Sequence, residues 1–279
     1  MHWYTYIAIF VFFILSLLIA YAALTYPGKR RPISPELLGV QYAHRGLHDG
    51  THAENSLSAF RLAVENGYGI ELDIRFTKDK QLVVFHDDTL LRMCGTDKRV
   101  DEFTYQELQS FRLLDTAETI PLFSDVLSLV AGQVPLLVEL KSGPENELLC
   151  MHAYSLLKSY DGLFCIESFH PMIVRWFKKN APEILRGQLS APPKSFEGAL
   201  SKPAAFLLSQ LLLNFLARPQ FIAYHKGRIP FCVHLCQKLG AMYAIWTLRD
   251  TDPVFTSVDK SHSDLLCSDT MIIFEYIRL

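Results

Sequence analysis

The sequence predicts one α/β barrel of the (β/α)8 type, preceded by a single helix long enough to cross a membrane. Three observations carry this. The first is a run without charged side chains from Trp3 to Tyr26. The second is the alternation, after residue 38, of short apolar runs rich in β-branched residues with helix-like stretches, which marks parallel β/α units. The third is length: 279 residues, half of them apolar, can bury one large core, and barrels of roughly 250 residues commonly form a single domain. A formal net charge of −2 argues against a nucleic-acid partner, which would call for a basic stripe or patch.

At the N-terminus, Ile7 to Ala23 is almost wholly apolar, and a helix needs about 20 such residues to span a bilayer. Trp3, Tyr4 and Tyr6 at one end, and Tyr21 and Tyr26 at the other, suit the two membrane interfaces. Lys29, Arg30 and Arg31 follow the run and no Lys or Arg precedes it, which places the C-terminal side in the cytoplasm. Ala20-Tyr21-Ala22 resembles a signal-peptide cleavage site, but the positive charge such a peptide carries before its apolar stretch is missing, so we favour an uncleaved anchor. Pro27 to Leu38, with three prolines and three consecutive basic residues, reads as a linker. The expected units are therefore an anchor over 1–26, a linker over 27–38 and a barrel over 39–279.

Nine strands are expected: Gly39–His44, Gly69–Arg75, Leu82–His86, Pro135–Lys141, Phe164–Phe169, Leu185–Leu189, Phe221–Tyr224, Met242–Thr247 and Asp264–Cys267. A barrel has eight places, and the surplus strand is expected among the last four. Helices are expected over Ser56–Asn66, with Ser56 as cap and Asn66-Gly67 as stop, and over Leu122–Val130, Pro171–Asn180 and Pro230–Leu239. Ser124-Asp125 marks the start of the second of these. The six cysteines include no CxxC pair, and buried free thiols are the expected state. Residues 205–216 (AFLLSQLLLNFL) read as a helix with Ser209, Gln210 and Asn214 on one arc. Its apolar face either packs on the barrel or lies in a membrane interface beside Lys194, Lys202 and Arg218.

Charged residues gather at strand ends, where barrel enzymes carry their sites. Ala43-His44-Arg45-Gly46 sets an imidazole beside a guanidinium at a sharp turn. Glu71 and Asp73, two apart on a strand, share one face, and two such carboxylates repel each other unless a cation or proton lies between them. Val83-Val84-Phe85-His86-Asp87 brings a second imidazole with an acid to orient it, and Glu139 and Lys141 share a face of a fourth strand. Three carboxylates, two histidines, an arginine and a lysine are the parts needed to split a phosphodiester with a divalent cation. His225, His234 and His262 stand apart from any such set and are read as ordinary histidines.

The segments AHRG, AENSLSAF, GIELDIRFTKDKQLVVFHDDTLLR, IPLFSDVL and LLVELK, in that order, resemble the glycerophosphodiester phosphodiesterase family. The resemblance covers roughly Tyr42 to Asp269, with weaker matches at Glu167-Ser168-Phe169, Trp246-Thr247 and Ser268-Asp269. It implies a barrel of the phospholipase C-like phosphodiesterase type, a bound magnesium or calcium ion, and hydrolysis of glycerophosphodiesters or lysophospholipids to glycerol phosphate and an alcohol. It implies His44 and His86 as the acid/base pair, Glu71, Asp73 and Glu139 as metal ligands, and Arg45 and Lys141 as phosphate-holding residues. Trp246 would stack on the glycerol skeleton. By the same resemblance the glycerol 2-hydroxyl attacks first and water then opens a cyclic phosphate. The chain departs from the family pattern in having Ala53 for a proline, Asp79-Lys80 at a turn usually Asp-Gly, and Leu248 after Trp246-Thr247 where an asparagine is common. Two other readings compete: a phospholipase D-like lipid enzyme on the same barrel, and a non-catalytic membrane protein that binds lipid head groups.

Overall fold

A computed structural model of the chain describes residues 2–29, 35–37, 40–249 and 270–275. Helix α1 (His2–Thr25) comes first, then β1 (Gln41–His44), α2 (Leu57–Glu65), β2 (Gly69–Phe76) and β3 (Leu82–Val84). Short helices α3 (Leu91–Cys94) and α4 (Tyr105–Leu108) precede α5 (Phe123–Val130), β4 (Leu136–Leu140), α6 (Asn146–Leu157), β5 (Phe164–Ser168) and α7 (Pro171–Asn180). The chain continues through β6 (Arg186–Ser190), α8 (Lys202–Ser209), α9 (Asn214–Ala217), β7 (Phe221–His225), α10 (Phe231–Lys238), β8 (Met242–Arg249) and β9 (Thr270–Glu275).

Eight strands pair in parallel in the order β1-β2-β4-β5-β6-β7-β8-β9, and β9 pairs back onto β1, so the sheet closes into a barrel. The surplus strand is β3, not one of the last four as the sequence suggested. It lies antiparallel on β2, Arg75 opposite Val83. Five residues separate β2 from β3, too few for the dozen or more that a parallel crossover needs. Lys80, at φ 60°, makes the tight turn. The expected strand at Asp264–Cys267 lies outside the described residues, as do His262 and Ser268-Asp269, and the last barrel place is taken by β9.

The helix expectations hold where a cap marks the boundary. Ser56 Oγ accepts from Ala59 N–H at the start of α2, and Pro171 opens α7 at its first position. The second helix begins at Phe123, one residue before Ser124, with Leu122 at its cap position. Residues 205–216 are not one helix: Leu211 turns left-handed at φ 55°, splitting the segment into α8 and α9. Cys94, Cys150, Cys165, Cys232 and Cys236 are free thiols.

Alternation along the strands divides the barrel interior into two levels. Toward the N-terminal ends, Tyr42, Leu137, Cys165, Phe221 and Met242 form an apolar plug. Gly187 makes room there, for a Cβ at that position would lie 2.0 Å from the Phe221 ring. One step further along each strand, the inward positions become His44, Glu71, Asp73, Glu139 and Glu167.

Candidate active site

The strand register builds the site. Asp73 on β2 pairs directly with Glu139 on β4, and Glu139 with Glu167 on β5, while His44 on β1 pairs with Glu71. Pairing of neighbours in a barrel therefore gathers four carboxylates and an imidazole at one level. Glu71, Asp73 and Glu139 each present an oxygen within 4.8 Å of the others, and all three residues are buried.

Burial of like charges has a cost that the surrounding groups offset unevenly. Burial first, then Asp73 and Glu139, hold the Glu71 carboxyl well above the ordinary carboxylate range. Glu139 is raised by burial and by Asp73, with Lys141 opposing. Glu167 is raised well above its usual value by burial and by Glu71 and Glu139. Asp73 goes the other way: burial works against its ionised form, but Lys141, His86 and Arg45, with a hydrogen bond from Asn55, hold it well below the usual range. The cluster thus sets three carboxyls that favour the protonated form beside one that favours the ionised form.

Two cations are built into the cluster itself. Lys141 Nζ lies 2.9 Å from Glu139 Oε1 and 3.4 Å from Asp73 Oδ1. Arg45, at φ 57°, donates its backbone N–H to Glu71 Oε2 (3.0 Å) and its Nη1 to Glu54 Oε1 (2.9 Å), with Nε 3.5 Å from Asp73 Oδ2. Both side chains thus neutralise carboxylates at the level where a phosphate would have to enter.

The histidines are held differently. His44 Nε2 lies 4.0 Å from Glu71 Oε2, its buried Nδ1 has no hydrogen-bond partner among the described residues, and burial together with Arg45 pushes its pKa well below the usual value. His86 lies two residues beyond β3, its Nδ1 2.6 Å from Asp87 Oδ1. Arg92 bridges Asp87 and Glu54, donating to both carboxylates at 2.7 Å. The chain of contacts His86–Asp87–Arg92–Glu54–Arg45 ties the two histidine-bearing loops together.

Several residues of the site carry no role in the sequence reading. Asn55, at φ 56°, donates Nδ2 to Asp73 Oδ2 (2.9 Å), and it sits in the AENS run quoted above. Arg75 donates to the carbonyls of Phe85 and His86 and to Asp88, fixing the His86 loop. Its signal was its place two residues after Asp73 on the same strand face. Glu167 is the fourth buried carboxylate, and its Oε2 has no hydrogen-bond partner. Trp246 lies further out, edge-on to Phe169 at 5.7 Å and to His225 at 5.0 Å, with its buried Nε1 making no hydrogen bond among the described residues. His225 fits the ordinary reading, with Nδ1 2.8 Å from the Lys226 carbonyl.

The donor set suits a hard divalent cation. Oxygens ligating Mg²⁺ or Ca²⁺ sit about 2.0–2.6 Å from the ion, so ligands of one ion lie at most about 5 Å apart, as these three do. All three donors are carboxylate oxygens, and the buried Glu167 Oε2 beside them makes no hydrogen bond among the described residues.

Comparison with known proteins gives the family and the fold. Residues 44–269 match the Glycerophosphoryl diester phosphodiesterase family. A glycerophosphodiester phosphodiesterase of Caldanaerobacter subterraneus is 27% identical over 251 residues, 85% of this chain and 96% of that protein. YhdW of Bacillus subtilis is 34% identical over 162 residues, 54% of this chain and 65% of that protein. A lysophospholipase D of Rattus norvegicus is 31% identical over 157 residues, and this chain spans about half of its length (48%). Among solved structures, an Oleispira antarctica phosphodiesterase in complex with the product sn-glycerol-3-phosphate superposes with a TM-score of 0.67 at 22% identity, over 85% of this chain and 93% of that one. That likeness fixes the fold: a parallel α/β barrel.

Proposed function

The chain belongs to the glycerophosphoryl diester phosphodiesterase family and is a phosphodiesterase hydrolase, and we propose that it cleaves glycerophosphodiesters to glycerol phosphate and an alcohol with a divalent cation held by Glu71, Asp73 and Glu139. The observation that carries this reading is the buried carboxylate trio, with His44 Nε2 4.0 Å from Glu71 Oε2. Magnesium or calcium in that position would polarise the phosphate and draw a hydroxyl toward it. Asn55 and Lys141 hold Asp73 in place for such an ion. His44 and His86 take one proton from the attacking hydroxyl and give one to the leaving alkoxide. Asp87 orients the His86 ring, so that Nε2 is the nitrogen free for transfer. Arg45 and Lys141 supply positive charge where negative charge builds up on the phosphoryl oxygens. Trp246 offers an apolar wall for the glycerol carbons.

We read residues 1–26 as an anchor, 27–38 as a linker and 39–279 as the catalytic barrel, with the barrel on the cytoplasmic side of the membrane. A lysophospholipid is a second substrate class, favoured by the apolar α1 and by the name of the rat relative. Assay of glycerol phosphate release from glycerophosphocholine tests the proposal. Chelation should abolish turnover, and magnesium or calcium should restore it; full activity after exhaustive chelation would remove the cation from the mechanism.

A further inference from the structure

Helix α1 docks on the barrel in one direction. Tyr21 stacks on Phe231 at the start of α10 (ring centroids 6.4 Å apart), while Thr25, one turn on, accepts at its carbonyl from Cys236 Sγ (3.2 Å) and Asn214 Nδ2 (3.2 Å). Contacts that advance from 21 to 25 on α1 as they advance from 231 to 236 on α10 make the two helices run parallel. Arg218, just before β7, donates to the carbonyls of Ala23 and Tyr26, and Gly28 N–H donates to Pro219. The C-terminal end of α1 therefore lies at the end of the barrel where β7 begins. Helix α10 starts from the opposite end, where β7 finishes at His225 and the catalytic side chains cluster.

Run backwards from Tyr21, α1 consequently leaves the barrel at the catalytic end. Every residue from Trp3 to Ala20 is exposed. At 1.5 Å per residue this stretch is about 27 Å long, close to the ~30 Å hydrocarbon core of a bilayer. The same end of the barrel carries an unusual rim. In α8 the polar Ser209 is buried while Phe206 is 54% exposed, and Phe231 at the start of α10 is 69% exposed. This is the reverse of a water-facing helix. Ser190, at the C-terminal end of β6, donates its hydroxyl to Leu208, which fixes α8 at the level of the mouth. Exposed Lys194, Lys202 and Arg228 lie on the same connections, as at surfaces that meet anionic lipid. Inward from α8, Phe196, Phe169 and Trp246 make an edge-to-face series, at 5.8 and 5.7 Å, that leads to the site.

From these placements we infer that the mouth of the barrel faces the bilayer that α1 enters, with Phe206, Leu207 and Phe231 immersed in its interfacial layer, so that phosphodiesters reach the site from the membrane. The inference rests on α1 being a membrane helix and on the mouth being the active site. The occupant of the rim is lipid, because the rim continues the surface of a helix of bilayer length whose residues 3–20 are all exposed among the described residues.

The test uses the full chain in phosphatidylcholine–phosphatidylglycerol vesicles. Cysteines at Leu15→Cys, Phe206→Cys, Phe231→Cys, Lys158→Cys and Lys179→Cys carry a nitroxide, and its collisions with oxygen and with an aqueous nickel complex report depth. The labels at 15, 206 and 231 should be shielded from nickel, and those at 158 and 179, at the far end of the barrel, should not. Labels at 206 and 231 as accessible as those at 158 and 179 would overturn the inference, and a nickel-accessible label at 15 would remove its premise. A triple variant with Phe206, Leu207 and Phe231 replaced by Ser should lose about tenfold on vesicle-borne lysophospholipid while keeping its rate on glycerophosphocholine. Equal rates on both substrates for triple variant and wild type would also overturn it. A wild-type chain inactive on glycerophosphocholine with cation present would instead sink the proposed activity, whatever the label depths.

Discussion

At the scale of single residues, the two histidines differ in what holds them, and that difference can be read kinetically. His44 is buried beside Arg45 with Nδ1 unpartnered, whereas His86 is half-exposed and tethered to Asp87. Replacing either by Ala should lower turnover by roughly 10² to 10⁴, the usual contribution of a positioned acid or base. On a diester with a nitrophenolate leaving group, which departs without a proton, the variant lacking the general acid should recover most of its rate and the other should not. Near-normal turnover of both variants on glycerophosphocholine would remove the pair from proton transfer. The carboxylates give a second readout. Glu71, Glu139 and Glu167 have folded pKa values raised above their unfolded ones, from a starting value of 4.5. Their contribution to stability is therefore fully present below about pH 4.5 and is lost as pH rises through the raised values. Asp73 opposes this only below its ordinary range, because its folded value is depressed. In chelator, melting temperature should rise as pH is lowered from 8 toward about 5, and added magnesium or calcium should flatten that slope. A melting temperature in chelator that falls steadily over the same range would show that Glu71, Glu139 and Glu167 do not dominate the pH dependence.

At the scale of elements, the sequence was most legible where one rule decides the outcome. Period-two alternation put Glu71 with Asp73, and Glu139 with Lys141, on shared faces, and the barrel register then brought them together. Sequence spacing cannot show which strands are neighbours, so the pairing of Asp73 with Glu139 and of Glu139 with Glu167 waited on the fold, and Glu167 went without a role. Arg75 was passed over because its work is done on backbone carbonyls, which carry no residue signature. The surplus strand was misplaced because β3 has the composition of a buried barrel strand, and only the short connection shows that it folds back. The segment over 205–216 was read as one helix because no Gly or Pro marks the break at Leu211, a residue that pays for left-handed backbone with burial of its side chain. An element-level prediction follows from the plug beneath the site. Gly187→Ala would place a methyl 2.0 Å from the Phe221 ring, and overpacking of this kind costs about 1–3 kcal/mol. Denaturant melts should show that loss, with the cation affinity of the folded protein little changed. An unchanged midpoint would mean that Phe221 can swing aside freely.

At the scale of the whole molecule, the junction between helix and barrel decides where the chain can be cut. A boundary at 26 was the natural reading of composition, since charged residues begin at Lys29. The contacts join the last turn of α1 to the barrel. Tyr21, Ala23, Thr25, Tyr26 and Gly28 all bond or stack with α9, α10 or the segment before β7, whereas Trp3 to Ala20 touch solvent throughout. The last turn of α1 thus belongs mechanically to the barrel, an arrangement that a cleaved signal sequence would forfeit. Removing residues 1–20 should therefore give a barrel that leaves the membrane, keeps its melting temperature and hydrolyses glycerophosphocholine at the full-length rate. Removing residues 1–30 strips partners from Asn214, Cys236 and Arg218, and hydrogen bonds of this kind contribute about 0.5–1.5 kcal/mol each. The longer deletion should consequently melt several degrees lower, at about 2–4 °C per kcal/mol for a domain of this size. Both truncations should lose activity on vesicle-borne lysophospholipid, because each removes the apolar stretch of α1 proposed to concentrate enzyme at the surface. Equal melting temperatures for the two truncations would show that the last turn of α1 adds nothing to the barrel. A mature N-terminus near Ala23 in cells would show that the helix is removed and that the barrel works without it.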